Sequence, residues 1–528
     1  MAENKLVSEG VAERIKYLKE RKELFKQGGG QREIQKQHER GKLTARERLD
    51  LLFDKGTFTE YDLLAIQMVK DFGFDEVEIP GDACISGHGL VNGRKIWCYA
   101  QDFTSSGGSW GGINVRKFLR TYKRALEMRL PIVLMMDSGG RRPHEQHSDE
   151  NIGEQFFAYV NASGVIPQIG LIMGPVAGGP CYGPALTDFI FMVKKTSYMF
   201  IGGPPVVKAM TGEEVTTEEL GGAEMHASVS GVADLAVEND EECIKRCKEL
   251  LSFLPDSNLQ NPPIVETGDD PNRVDEGLNS ILPESPKQPY DMRQIINRIV
   301  DNSYFFEIKP NFAKNVIVGF ARLNGHTIGI NASQPLFMGG ILDVDASDKS
   351  SRFVRFCDAM NIPILNLIDS PAFITSTKTE RQGLIRHGAK MLFSQCETTV
   401  PKVSLVVRKG LAGSYIAMGS RGVGADILFS WPSGQFGTYG VDAAFSVLLR
   451  TSILKNRLAK AENPKALEQE WRKRFYDEYI DVFAVAPFRH VDDIIEPKET
   501  RPAIIKAFEI LSTKKKERPW RKHGNIPL

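Results

Sequence analysis

The chain repeats itself, and that repetition constrains its fold more than any single motif. Asp54-Lys55-Gly56-Thr57-Phe58-Thr59-Glu60 in the first half matches Asp301-Asn302-Ser303-Tyr304-Phe305-Phe306-Glu307 in the second. Gly87 followed by Asn92-Gly93 matches Gly319 followed by Asn324-Gly325, and each Asn-Gly pair lies between apolar runs, the signature of a two-residue hairpin turn. Ala125–Ser138 matches Cys357–Ser370, both ending in Asp-Ser. Val165-Ile166-Pro167 matches Thr399-Val400-Pro401, and Gly179 and Gly413 follow those prolines at the same distance. Five matches in the same order argue for a duplicated unit. Each copy reads as hairpin, helix, short apolar strand, helix, short apolar strand, glycine turn and helix. Short, continuously apolar strands separated by helices imply strands covered on both faces, an α/β layout.

The stretch from Pro255 to Pro289 carries seven prolines among Asp, Asn and Ser, a density that interrupts helices and central strands. It separates the copies, giving expected domains 1–262 and 291–528 joined by a connection at 263–290. Ahead of the first copy, Val11, Ile15 and Leu18 lie at helical spacing, and Gly28-Gly29-Gly30 ends that helix. A second polar helix is expected from Gln31 to Phe53.

Composition excludes several classes. Sixty-seven Lys and Arg balance 67 Asp and Glu, so no global field favours nucleic acid or an anionic membrane. Seven cysteines form no paired framework, and Cys243 and Cys247 lack the companions of a zinc site, which points to reduced thiols. The first residues carry Glu3, Glu9 and Glu13 without a long apolar run, so no secretory or transit segment is read there, and a cytoplasmic location is expected. His144, Glu145 and His147 lack the i, i+4 histidine pair of a zinc helix, so no metal is expected. The chain shows no nucleophile elbow, P-loop or dinucleotide fingerprint.

Chemistry concentrates in glycine turns at strand ends: Asp137–Arg142, Gly174–Gly179 and Ala412–Ser414. Backbone N–H groups of a tight turn and of a helix start can converge there on one developing oxyanion. The alternative is that these are ordinary turns capping strands and helices. Gln101–Ser109 is a further loop of small residues, either a wall for an extended ligand or a surface loop.

The runs His38–Arg48, Ala162–Gln168, Pro184–Asp188, Glu219–Ala223, Arg386–Lys390 and Arg518–Leu528 carry a resemblance over essentially the whole chain. The chain resembles the carboxyltransferase subunits of biotin-dependent acyl-CoA carboxylases and decarboxylases, among them the propionyl-CoA carboxylase β and methylmalonyl-CoA decarboxylase α chains. The resemblance implies two crotonase-like domains, acyl-CoA side first and biotin side second, in a homohexamer built from two trimers. It implies that carboxybiotin, on a separate carrier protein, releases CO2 beside a short acyl-CoA, and that deprotonated biotin then removes the α-proton. Amides around Gly140-Arg141 and Gly178-Gly179 would hold the thioester oxygen, and Gly413-Ser414 the ureido oxygen of biotin. Ile416 would line the acyl pocket, with Tyr182, Phe103, Gly107, Gly108, Ala372 and Phe373 beside the substrates. The biotin carrier and either a biotin carboxylase or a membrane decarboxylase subunit would be partners, the latter making the protein peripheral to a membrane complex. The chain departs from the family pattern at Arg141, Pro180, Ala372, Ser376, Gln435 and Ala443, and Arg141 or Arg142 is a candidate partner for an anionic acyl group. Two other readings are a biotin-independent crotonase with Glu145 as acid and base, and a non-catalytic paralogue that scaffolds an active homologue.

Overall fold

A computed structural model describes residues 10–528 except 70–72, 74–75, 146–151 and 287. Glu3, Glu9 and His147 lie outside the described residues. The chain divides into two compact units, Met1–Gln260 and Asn261–Leu528.

In the first unit, β1 (Thr59–Tyr61), β2 (Cys84–Val91) and β3 (Arg94–Gln101) form an antiparallel entry. It leads into the parallel strands β4 (Ile132–Met136), β5 (Gln168–Ile172), β7 (Phe189–Val193) and β9 (Leu235–Val237), in the order β1-β2-β3-β4-β5-β7-β9. β6 (Pro175–Ala177) and β8 (Tyr198–Phe200) pair separately. The second unit repeats this with β10 (Phe305–Ile308), β11 (Val316–Leu323), β12 (His326–Ser333), β13 (Ile364–Ser370), β14 (Lys402–Leu411), β15 (Ile427–Ser430) and β17 (Asp493–Ile494), while β16 (Gln435–Gly437) pairs with the far end of β14. β4 is buried at every position, and so is β13, as parallel strands covered on both faces require.

The duplication extends to single contacts. Both Asn-Gly turns have positive φ at both residues. In the first unit Asp54 accepts from Asn92 N and Gly93 N at 3.0 and 2.8 Å, and in the second Asp301 accepts from Asn324 N and Gly325 N at 3.1 and 2.8 Å. Gly87 and Gly319 are required by close approach: a Cβ would lie 2.2 Å from Thr59 O in one unit and 2.3 Å from Phe306 O in the other.

Three elements differ from the sequence reading. The segment from Gln31 to Phe53 is two helices, Gln31–Glu39 and Ala45–Leu52, because Gly41 takes φ +73° and Thr44 starts a new helix with a capping box to Glu47. The first helix, Val11–Lys26, leaves Val11, Ile15 and Leu18 exposed and buries Phe25 instead. The proline-rich stretch is tied to the second unit at many points. Val265 N donates to Gly325 O, Thr267 Oγ1 to Asp301, and Tyr290 OH to Asp369.

Asp301 is 3% exposed and also receives Arg501 Nη2 at 2.7 Å, where Arg501 is 1% exposed. Removing one member of such a pair strands a buried charge. Asp301→Ala is therefore expected to destabilise the protein by about 3 kcal/mol, against about 1 kcal/mol for Asp54→Ala, whose carboxylate is half-buried and has no buried cation partner among the described residues, as measured by denaturant unfolding.

Lys402 is buried at the start of β14, donating to Gln395 O (2.5 Å) and Val423 O (2.9 Å). Burial, with Lys516 and Lys514 nearby, pushes its ammonium down to about 7. The unfolded chain binds this proton up to the ordinary lysine pKa, so stability contributed here rises as pH goes from about 7 to about 10. Relative to Lys402→Met, the wild type should gain stability across that window with a slope approaching about 1.4 kcal/mol per pH unit, read from unfolding curves at successive pH values.

Candidate active site

Each unit builds a turn at the carboxyl end of its central parallel strand around a buried aspartate. In the first unit Asp137 follows β4. Its carboxylate accepts from Lys42 Nζ (2.6 Å), Arg48 Nη1 (2.8 Å) and Gln37 Nε2 (3.0 Å), and its N–H donates to Gln101 Oε1 (2.8 Å). Burial lowers the Lys42 pKa against the opposing pull of Asp137. Arg48 also reaches Asp240 and Met173 O. The chain must pass close to this carboxylate at Gly174, where a Cβ would lie 1.8 Å from Asp137 Oδ1. That approach interrupts the strand between β5 and β6.

The turn itself is pinned residue by residue. Ser138 N donates to Pro175 O, Gly139 N to Gly107 O, Trp110 N to Gly140 O and Arg142 N to Trp110 O, all at 2.8–3.0 Å. Gly140 takes φ +106°, and its N–H donates to Ser138 Oγ at 3.1 Å. Gly107 and Gly108 are thus brought against Ser138-Gly139, and a Cβ on Gly108 would lie 2.1 Å from Asp137 O. The loop beside them is clamped too: Asp102 Oδ1 accepts from Thr104 N and Oγ1, and Gly29 N donates to Thr104 Oγ1. Phe103 lies under Lys42, with Nζ 4.5 Å from its ring centre.

Arg142 is not available to an anionic acyl group. Its guanidinium is buried and pairs with Asp82 and Glu145, both at 2.6 Å, and with Ser109 O at 3.0 Å. Arg141 is exposed. Glu145 accepts from Gly112 N at 2.9 Å, capping the helix Gly112–Met128. The described residues contain no cluster of three or more potential metal ligands.

Gly178 shapes the second turn, with φ +74°, but its N–H donates to Phe200 O at 3.1 Å. Gly179 opens the short helical turn Gly179–Cys181, and its N–H has no acceptor among the described residues. Pro180 contributes no donor. Tyr182 begins the next helix and is 49% exposed.

The second unit repeats the plan with different chemistry. Buried Asp369 accepts from Arg408 Nε (3.1 Å), Tyr290 OH (2.9 Å) and Lys409 N (3.1 Å), and burial raises its pKa. Leu342 N donates to Ala372 O and Ile374 N to Leu342 O, the counterpart of the Trp110 pairing. Superposing Pro167 on Pro401 makes Gly178, Gly179 and Tyr182 correspond to Ala412, Gly413 and Ile416. Ala412 keeps the positive φ, +54°, without being glycine. Such a backbone costs an alanine about 1 kcal/mol and is retained where surroundings enforce it. Gly413 and Ser414 lie in the first turn of the helix Ala412–Ala417, whose leading N–H groups have no partner inside the helix. Ser414 Oγ turns back to Leu411 O (2.9 Å). The Phe373 ring packs between Gly388 and Gly413, 3.4 and 3.8 Å from where their Cβ atoms would be. Ile416 is 43% exposed.

The departures at Ala372, Ser376 and Ala443 occupy backbone with negative φ, so none is strained. Ser376 caps the helix Thr377–Arg381, and Ala443 lies inside the helix Val441–Leu448. Sequence reasoning missed the anchors Lys42, Arg48, Gln101, Asp82 and Arg408, and the Gly339-Gly340 loop that copies Gly107-Gly108. The run from His38 to Arg48 held two of them in view, but its basic residues point at no partner until the fold brings Asp137 to them.

The carboxyl transferase domain family matches residues 36–526. The methylmalonyl-CoA decarboxylase subunit alpha of Veillonella parvula is 47% identical over 519 residues, 98% of this chain and 99% of that protein. The propionyl-CoA carboxylase carboxyltransferase subunit of Haloferax mediterranei is 44% identical over 519 residues, 98% of this chain and 100% of its own. Among solved structures, the transcarboxylase 12S hexamer with methylmalonyl-CoA and methylmalonic acid bound superposes with a TM-score of 0.95 at 41% identity, covering 99% of each chain. With its duplicated crotonase-like units and this likeness along nearly its full length, the chain belongs to the carboxyl transferase family.

Proposed function

We propose that the protein moves a carboxyl group between carrier-bound biotin and the α-carbon of a short acyl-CoA of the propionyl-CoA and methylmalonyl-CoA type. The observation that carries this reading is the same backbone turn built twice, each held by a buried aspartate and each leading into a helix start. In the first unit the amides at Gly140-Arg141 and Gly179 would receive the thioester oxygen as negative charge builds on it during loss of the α-proton, the Gly140 N–H giving up its bond to Ser138 Oγ to do so. Gly178 serves this by fixing the turn, and Arg142 by holding the adjoining loop through Asp82 and Ser109. In the second unit the first-turn amides of Gly413 and Ser414 suit the ureido oxygen of biotin, with Phe373 as an apolar wall. Carboxybiotin would supply the CO2, and the ring nitrogen it vacates would take the α-proton. The protein then needs no side-chain base, and Glu145, held by Arg142 and Gly112 N, is not placed as one.

A biotin carrier, a carboxylase or decarboxylase partner and a hexamer like the transcarboxylase 12S core belong to the same reading. The described residues include no helix long and apolar enough to cross a membrane, so a membrane decarboxylase partner would itself provide the span.

Proline at the first position of a helical turn removes an N–H and little else. Gly179→Pro should therefore lower kcat for carboxyl exchange between methylmalonyl-CoA and free biotin by about 10²–10³, with acyl-CoA binding retained in calorimetry. An unchanged rate would remove this amide from the oxyanion site. If Ile416 lines the acyl pocket, Ile416→Asp should shift preference from propionyl- and butyryl-CoA toward acetyl-CoA by about tenfold or more, measured as kcat/KM ratios across the three thioesters.

A further inference from the structure

β6 and β8 form a two-stranded sheet of their own, with Pro175 beside Tyr198, Val176 beside Met199 and Ala177 beside Phe200. β6 runs directly into Gly178-Gly179, so the placing of that turn depends on β8. Tyr198 N donates to Gly174 O at 3.3 Å on one side of β6, and Gly178 N donates to Phe200 O at 3.1 Å on the other. The next amide along is Gly179 N, which has no acceptor among the described residues.

Alternate residues of a strand turn their polar groups toward opposite neighbours. Tyr198 and Phe200 face β6, so Met199 presents its carbonyl to the outer edge. Met199 is 4% exposed, and a carbonyl buried there needs a donor. After β8 the chain leaves through the helix Pro204–Thr211 and returns at Thr217–Gly221. It returns close: Gly222 forms a single antiparallel bridge with Tyr198, and a Cβ on Gly221 would lie 2.2 Å from Met199 O. The next helix, Ala223–Met225, then turns it away without a backbone amide reaching that oxygen.

The donor is a side chain. His226 Nε2 lies 2.8 Å from Met199 O, and its Nδ1 lies 2.7 Å from Ser230 Oγ. A carbonyl oxygen only accepts, so Nε2 carries a proton, and the Ser230 hydroxyl is placed to donate to Nδ1. Both residues belong to His226–Ser230, a single π-helical turn, a form that recurs at functional sites.

The second unit closes the matching edge by other means. β16 stands beside β14 as β8 stands beside β6, with Lys409 opposite Gln435 where Pro175 is opposite Tyr198. There the main chain makes the seal: Phe436 N donates to Ile480 O at 2.8 Å, Val482 N donates to Gly434 O at 3.1 Å, and Gln435 bridges Asp481. A backbone seal tolerates many side chains. A histidine seal does not, so the first unit's turn depends on the identity of one residue where its copy depends on none.

We propose that His226 is a positioning residue for carboxyl transfer. By holding Met199 O it fixes β8, β8 holds the Gly178 amide through Phe200 O, and Gly179 N is left aimed at the thioester oxygen. This role rests on the reading of Gly179 as a donor to that oxygen, and adds what aims it.

His226→Leu removes the donor and keeps an apolar bulk, whereas His226→Gln carries an amide N–H able to reach Met199 O. In carboxyl exchange between methylmalonyl-CoA and free biotin, His226→Leu should lower kcat by about tenfold or more, with acyl-CoA affinity unchanged in calorimetry. His226→Gln should restore most of the rate. Amide hydrogen exchange across residues 175–182, followed by mass spectrometry, should be faster in His226→Leu than in wild type and close to wild type in His226→Gln. An unchanged kcat in His226→Leu, no rescue by His226→Gln, or acyl-CoA affinity lost in step with the rate would each overturn the role. If wild type itself shows no carboxyl exchange, the reading of the site falls, and unchanged amide exchange in His226→Leu would separately overturn the anchoring.

Discussion

A carboxylate buried at the end of a parallel strand is the constraint from which both halves of this protein are built. Asp137 and Asp369 cannot remain charged without cations and N–H donors close by. Meeting that demand draws surrounding segments to fixed distances. In the first unit the demand is met by Lys42 and Arg48, and the chain narrows to glycine at position 174 to let them in. In the second it is met by Arg408 and Tyr290. Once the aspartate is fixed, the next few residues have little freedom. Their N–H and C=O groups are taken one after another by the neighbouring loop, and the few amides left over are those available for chemistry.

Much of the architecture could be read from the sequence because duplication converts weak signals into strong ones. A single Asn-Gly pair or Asp-Ser step says little, whereas the same pairs in the same order twice specify hairpins, strand ends and their connections. The hairpin at Asn92-Gly93 and its copy at Asn324-Gly325 take the predicted turn, and the matched aspartates Asp54 and Asp301 accept from both turn amides.

Details set by three-dimensional proximity were not legible. Gly178 and Gly179 look alike as letters, yet the first spends its amide on Phe200 O and the second does not. Arg142 looked available until folding placed Asp82 and Glu145 against it. Only the structure shows that φ at the departures Ala372, Ser376 and Ala443 is one that any residue adopts. The polar segment from Gln31 to Phe53 hid a helix break because Gly41 and the Thr44 cap were outweighed by the uniform polarity around them.

The two halves solve the same electrostatic problem with partners drawn from different distances along the chain. Position 174 of the first copy corresponds to position 408 of the second, so one copy has emptied the place where the other keeps its own cation. Arg408 lies on the strand hydrogen-bonded to the one bearing Asp369, so this counter-charge arrives when two adjacent strands meet. Asp137 instead waits for residues almost a hundred positions upstream. Loop closure over that span must precede the reward, which places docking of the leading helices late in the folding of the first unit and makes its turn hostage to them. The second unit finds its counter-charge on the adjoining strand, and only the Tyr290 hydroxyl comes to Asp369 from a distant segment.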